Sequence, residues 1–298
     1  MLLAEGIIEE IAAPTRGGSI VSVLALADRR LRKTSFEEAA GRKRLLQARY
    51  LGWATGRGRR PNLVGEAGER VVHASLVEAA RAGAGYNLLK RTATGQVATI
   101  FGQPVPGGPL DNAAFLAIAH NDRPMAVSIL IEVKNVRHWI YPSSAELFQL
   151  LDKAARLQQD HPTHLFVPVL VCRRGHYTLF KMAEDLGFIA FYTMVQPLLN
   201  HSTVEADAVV EVRNELGYTL DLIQADEVQG HDFVINGFTK VLPTSAARIA
   251  LRWQQTAPTL APFYQNLRAS NLTQSQRNIQ IDLLRAAAKH LPDARGGW

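Results

Sequence analysis

Glu132 and Lys134 stand two residues apart at the end of an apolar, β-branched run, Val127-Ser-Ile-Leu-Ile-Glu-Val-Lys-Asn135. Strand side chains alternate, so the carboxylate and the ammonium share one face and Val133 takes the other. Two charges at the end of a buried strand are costly to desolvate unless partners meet them. Asp111 follows Pro109-Leu110 at the start of another apolar run, and Glu69 lies in Gly65-Glu-Ala-Gly-Glu-Arg70, which opens a helix. Asp111 and Glu132 are hard oxygen donors of the kind that Mg²⁺ or Mn²⁺ takes, and the main-chain carbonyl of Val133 could add a further oxygen. Such a cation stabilises charge developing on a phosphate and helps to deprotonate a bound water. Lys134 beside it could position that water or neutralise the oxyanion. Glu69, if its helix packs against the same strand ends, could hold a second metal or orient the water.

The elements that must position these residues follow from pattern. A helix is expected from Val64 to about Ala82, with Val72, Leu76 and Ala79 as its buried stripe and Glu69 one turn before Val72. Strands are expected around 97–101, over 113–119 and over the run ending at Lys134. The last two are joined by the short turn Asn121-Asp-Arg-Pro124 and should pair antiparallel, which would bring Asp111 and Glu132 together. Ser143 or Ser144 caps a helix over 145–159, on which Gln149 and Lys153 sit one turn apart. A strand over 165–172, a helix-like stretch over 179–186 and a strand over 187–194 complete an α/β sandwich. Outside this block, helices are expected over 2–12, 19–33 and 36–53, a hairpin over 209–223, and helices over 245–255 and 275–290. The division expected is a basic helical region 1–60, a core 61–198 and an α+β extension 199–298.

The 298 residues carry 47% hydrophobic side chains, which fits a packed core. No apolar run is long enough to span a bilayer, so no membrane partner is expected. The first ten residues carry acids where a secretory signal would carry basic residues. The single cysteine, Cys172, reads as a buried strand thiol, consistent with a cytoplasmic setting. Net charge is +6, but residues 29–60 alone sum to +9 and the remainder to −3. That concentration points to an anionic partner, with Arg42, Lys43, Arg44, Arg57, Arg59 and Arg60 as candidate phosphate contacts. His138, Trp139 and Tyr141 follow Lys134 on a loop, and packing is favoured over base stacking as their role. Glu66 reads as a solvated first-turn acid, and His73 as a helix-surface or packed histidine.

The set Glu69, Pro109-x-Asp111, Glu132-x-Lys134 resembles the PD-(D/E)XK nuclease superfamily, of restriction-endonuclease-like fold. The resemblance covers roughly residues 62–196. It departs from the signature in the leucine, Leu110, between Pro109 and Asp111. It implies an αβββαβ core, Mg²⁺-dependent phosphodiester hydrolysis and a nucleic-acid substrate. It makes Asp111 and Glu132 metal ligands, Lys134 the catalytic lysine and Glu69 the helix acid. Gln149 falls in the following helix, where some members place a further polar site residue. The expectation is therefore a deoxyribonuclease, an endonuclease, of DNA repair or restriction and defence. The alternative is a catalytically silent module of the same fold that binds DNA or a protein partner. Self-association into a homodimer through the C-terminal third stays open.

Overall fold

The computed structural model describes residues 8–14, 20–26, 35–56, 62–202, 204–217, 221–225, 230–269, 271–291 and 298. In chain order, β1 (Ile8–Pro14) and β2 (Ile20–Leu26) precede the helices α1 (Ser35–Thr55) and α2 (Leu63–Arg81). Then come β3 (Tyr86–Leu88), the short strands β4 (Thr99–Ile100) and β5 (Gln103–Pro104), and the long strands β6 (Asn112–His120) and β7 (Arg123–Lys134). Next are α3 (Ala145–Asp160), β8 (Phe166–Cys172), α4 (Tyr177–Leu186) and β9 (Ile189–Tyr192). They are followed by β10 (Gln196–Leu199), α5 (Ala206–Glu215) and β11 (Leu222–Ala225). Last come α6 (Asp232–Asn236), a π-helical turn (Gly237–Val241), α7 (Leu242–Arg268) and α8 (Gln274–Lys289).

Contacts divide the chain into two compact units, Met1–Gly52 with Glu205–Thr219, and Trp53–Val204 with Leu220–Trp298. In the first, β1 and β2 form an antiparallel hairpin with Ile11 opposite Val23. Helices were the expectation for both segments. The β-branched Ile20, Val21 and Val23, in a run of only seven residues, favour a strand instead. Ion pairs from Arg42 and Arg49 to Glu211, at 2.9 and 3.4 Å, tie α1 to α5. α5 replaces the expected first strand of a hairpin. Its buried Ala208, Val209 and Val212 recur at helical spacing, so the valines pack as a helix face.

The second unit is built on a five-stranded mixed sheet in the order β3-β6-β7-β8-β9. β3, β6 and β7 run antiparallel, and β7, β8 and β9 run parallel. Asn121 and Asp122 join β6 to β7 with φ of 49° and 59°, the left-handed pair that a tight two-residue hairpin needs. The register sets Asn112 opposite Ile131, so Asp111 enters β6 opposite Glu132. One face of the sheet, with Val127, Ile129 and Ile131, packs on Val72 and Leu76 of α2 and on Leu242, Ala246 and Ile249 of α7. The other, with Leu130 and Leu170, packs on Leu147, Leu150, Leu151 and Ala154 of α3 and on Trp253, Leu260 and Tyr264 of α7. Glu132 and Lys134 continue the Leu130 row, toward α3.

α7 runs to Arg268, past the end near Gln255 that the sequence suggested, with Pro258 and Pro262 inside it. A proline within a helix costs about 3 kcal/mol. Here Trp253, Ala257, Leu260, Tyr264 and Leu267 are all fully buried on one side, and that packing outweighs the lost amides. β11 pairs in parallel with β10 rather than closing a hairpin at 214–217. No helix among the described residues is long and apolar enough to cross a membrane.

Candidate active site

A cleft of about 490 Å³ opens at the end of β7, lined by Glu69, Asp111, Glu132, Val133, Lys134, Gln149 and Lys153. Each wall has a local reason to be there. Asp111 stands just before β6, and its side-chain Oδ2 accepts a 2.7 Å hydrogen bond from the Val133 amide. β7 delivers Glu132 and Lys134 on one face. α3 brings Gln149 and Lys153, one turn apart, over that face. α2 passes close by: Asn135 Nδ2 donates to the Val64 carbonyl at 2.6 Å. A Cβ added to Gly68 would meet the Asn135 Cβ at 2.7 Å. That glycine lets the helix approach the strand end and carries Glu69 to the cleft.

Glu132 is almost fully buried and touches two ammonium groups. Lys134 Nζ donates to its Oε2 at 3.1 Å and to Gln149 Oε1 at 2.8 Å. Lys153 Nζ donates to the other oxygen, Oε1, and to the Pro109 carbonyl. Lys153 is itself only 7% exposed. Its spacing from Gln149 is plain in the sequence, but its partner is not. The signal was a lysine beside Leu150, Leu151 and Ala154 on the apolar side of an amphipathic helix, a position that demands a buried partner.

The three acids repel one another. Burial, then Glu132, then Glu69 push the Asp111 carboxyl up to about 7, while Lys134 and the Val133 amide pull the other way. Burial also raises Glu69, against the pull of Lys134 and Arg91. Burial opposes the Lys134 charge, but Glu132 and Asp111 outweigh it and hold its pKa above the usual lysine value. Lys134 is therefore a fixed cation in the cleft that the three acids line. Among the described residues no three His, Cys, Asp or Glu side chains cluster closely enough to enclose a metal ion. The donor set on offer is two carboxylates, Asp111 and Glu132, with room for water. That suits Mg²⁺, which keeps several waters and uses few protein oxygens.

The other expected residues fall elsewhere. Arg42, Lys43 and Arg44 are exposed on α1, in the smaller compact unit, and Arg42 is paired with Glu211. Arg57, Arg59 and Arg60 lie outside the described residues. Glu66 pairs with Arg70 one turn on. His73 bonds Asn112 at 2.8 Å through Nδ1. Cys172 is buried, as expected, and burial holds its thiol protonated. Trp139 and Tyr141 pack against His176 but are only partly covered. They stand 43% and 44% exposed, because Ile140 between them takes the buried position and turns its neighbours outward.

No protein-family model and no curated protein matches the chain. Among solved structures it is similar to the MspJI restriction endonuclease in complex with a 27-mer oligonucleotide, at 12% identity and a TM-score of 0.22. The match covers 89% of this chain and 44% of that one, so the chain spans less than half of that protein's length. An overlap that loose decides nothing about chemistry.

Proposed function

We propose that the protein is a Mg²⁺- or Mn²⁺-dependent nuclease that hydrolyses phosphodiester bonds in DNA. One observation carries this reading: Asp111, Glu132, Lys134, Gln149 and Glu69, from four separate elements, line a single cleft. The restriction-endonuclease-like assignment of the fold belongs to the same proposal, supported by the order α2, then β3, β6 and β7 of the five-stranded sheet with the separate pair β4 and β5 between, then α3 and β8. Asp111 and Glu132 would hold the cation, with the Val133 carbonyl as a further donor. When bound, it supplies Lewis-acid stabilisation of phosphate charge and a more acidic water.

The chain's own groups do the rest. Lys134, held by Gln149 and Glu132, keeps its Nζ charge against the phosphate oxygen on which negative charge grows. Glu69, raised by burial, is basic enough to accept a proton on a carboxylate oxygen from the water that attacks phosphorus. The P–O bond opposite breaks, and the departing oxygen takes a proton from solvent.

The purified protein with Mg²⁺ or Mn²⁺ is expected to cut DNA, and a chelator is expected to stop it. At limiting metal the rate should rise about tenfold per pH unit below about 7 and then level. The sign follows from Asp111, which keeps its proton below that point and must lose it to ligate. A wild-type protein that cuts no form of DNA with either metal refutes the reading.

The silent-module alternative has one observation in its favour. The ion pair from Lys153 neutralises Glu132 without any metal. For Glu132 to ligate through Oε1, that ammonium has to release it. Lys153→Met is therefore expected to bind Mn²⁺ about tenfold more tightly than wild type, because it removes a unit charge that competes at contact distance. Titration calorimetry reads this directly. Affinity equal to or below that of the wild type would show that Lys153 does not compete for the site.

A further inference from the structure

We propose that Trp139, Tyr141 and Tyr177, gathered round His176, form a stacking platform for unpaired DNA bases beside the cleft. Strands with unpaired bases are then the preferred substrate class, an assignment that rests on the nuclease reading above. The rings stand 43%, 44% and 63% exposed and form one chain of contacts. Tyr141 stacks on His176 at 4.8 Å and 30°, Tyr177 lies 4.5 Å from the same imidazole, and Trp139 meets it edge-on at 6.3 Å.

The rings are fixed in place by their backbones. Ile140 is fully buried, donates to the Arg174 carbonyl at 2.9 Å and accepts from the His176 amide at 2.9 Å. The Tyr141 amide donates to Ser144 Oγ at 2.8 Å. His176 caps α4 and bonds Thr178 Oγ1 at 2.8 Å. Rings held this way lose little freedom when a flat partner covers them.

Position and charge name the partner. Trp139 and Tyr141 follow β7, and His176 and Tyr177 follow β8. Those two strands are parallel, so their C-terminal ends lie with Lys134 at one end of the sheet. Arg174 lies 5.9 Å from the Trp139 ring and Lys181 lies 5.4 Å from the Tyr177 ring. Arg137, Arg173 and Arg174 all reach the carboxylate of Asp221. His138 pairs with Glu146 at 3.2 Å. The surface thus offers flat apolar faces with the cations Arg174 and Lys181 beside them. A strand with free bases presents flat faces on an anionic backbone and matches both features. Paired duplex DNA hides its base faces and matches only the charge.

The test is binding of fluorescent oligothymidylate and of blunt duplex to the full chain in chelator, together with cutting of both in Mg²⁺. Trp139→Ala, Tyr141→Ala and Tyr177→Ala should each weaken oligothymidylate binding about tenfold. Duplex binding should stay within about twofold, since its contacts are to phosphate. The Phe variants should restore single-strand binding, and thermal unfolding should be unchanged because the rings are exposed. Ala variants that bind oligothymidylate as the wild type does, or that lose both ligands equally, overturn the platform. Ring-dependent binding without any metal-stimulated cutting would keep the platform and remove the nuclease. Cutting with ring-independent binding would do the reverse.

Discussion

Lys134→Ala is expected to lower DNA cutting about 10²–10³-fold, the usual effect of removing one fixed charge or donor from a developing oxyanion. The loss should appear in kcat, with KM changed little, because the ammonium matters most where negative charge grows. Stability should suffer far less. Glu132 keeps its second partner, Lys153, and Gln149 is exposed and can turn to water. Lys134 is thus a cleaner probe than Glu132, whose removal would leave two ammonium groups facing each other. Lys134→Arg should not restore the rate, since a longer planar fork cannot place one charge where Nζ stands between Glu132 and Gln149. Single-turnover cutting on one DNA substrate reads both variants. Wild-type rates in Lys134→Ala would remove the lysine from the chemistry.

The centre of this site was legible because it is built on strong local signals. A buried strand ending in Glu-x-Lys must orient both charges alike, and a two-residue turn fixes the register that sets Asp111 opposite Glu132. Lys153 was not legible as a partner, because spacing along α3 does not say which strand residue lies beneath it. β1, β2 and α5 were misread for one reason. Short runs of Ile, Val and Ala satisfy the helical and the strand period equally well, and only tertiary pairing decides. For α7 the prolines argued for a break, while the aromatic and aliphatic stripe from Trp253 to Leu267 argued against one. The stripe won because it is buried against the sheet and α3. The exposure of Trp139 could not be read from the sequence either. It depends on the bridge between Ile140 and Gly175, a parallel contact made thirty-five residues apart.

Asp221→Ala should destabilise the fold by about 3–5 kcal/mol, the range found when one partner of a buried ion pair is removed. Asp221 and Arg173 are 6% and 4% exposed, and they are joined directly. Arg137 reaches the other carboxylate oxygen at 2.6 Å, and Arg174 approaches at 3.6 Å. Without the carboxylate, the buried Arg173 guanidinium loses its anionic partner and faces the charges of Arg137 and Arg174. The same residue ties strands together through its backbone, since the Gln196 amide donates to its carbonyl. Gln196 Nε2 in turn donates to the Asn135 carbonyl, one residue past Lys134. Asn135 Nδ2 donates to Val64 and Pro197. Loosening this lattice therefore frees the segment between the cleft and Trp139. Asp221→Asn keeps the shape and loses only the charge, so it should fall between alanine and wild type. Urea unfolding of the three proteins, with the slope compared as well as the midpoint, reads the order. Equal midpoints for Asp221→Ala and wild type would mean that the guanidinium groups find water or other acceptors once the acid is gone. The segment carrying Lys134 toward the aromatic platform would then be held by the bonds of Asn135, Gln196 and Arg173 without the carboxylate.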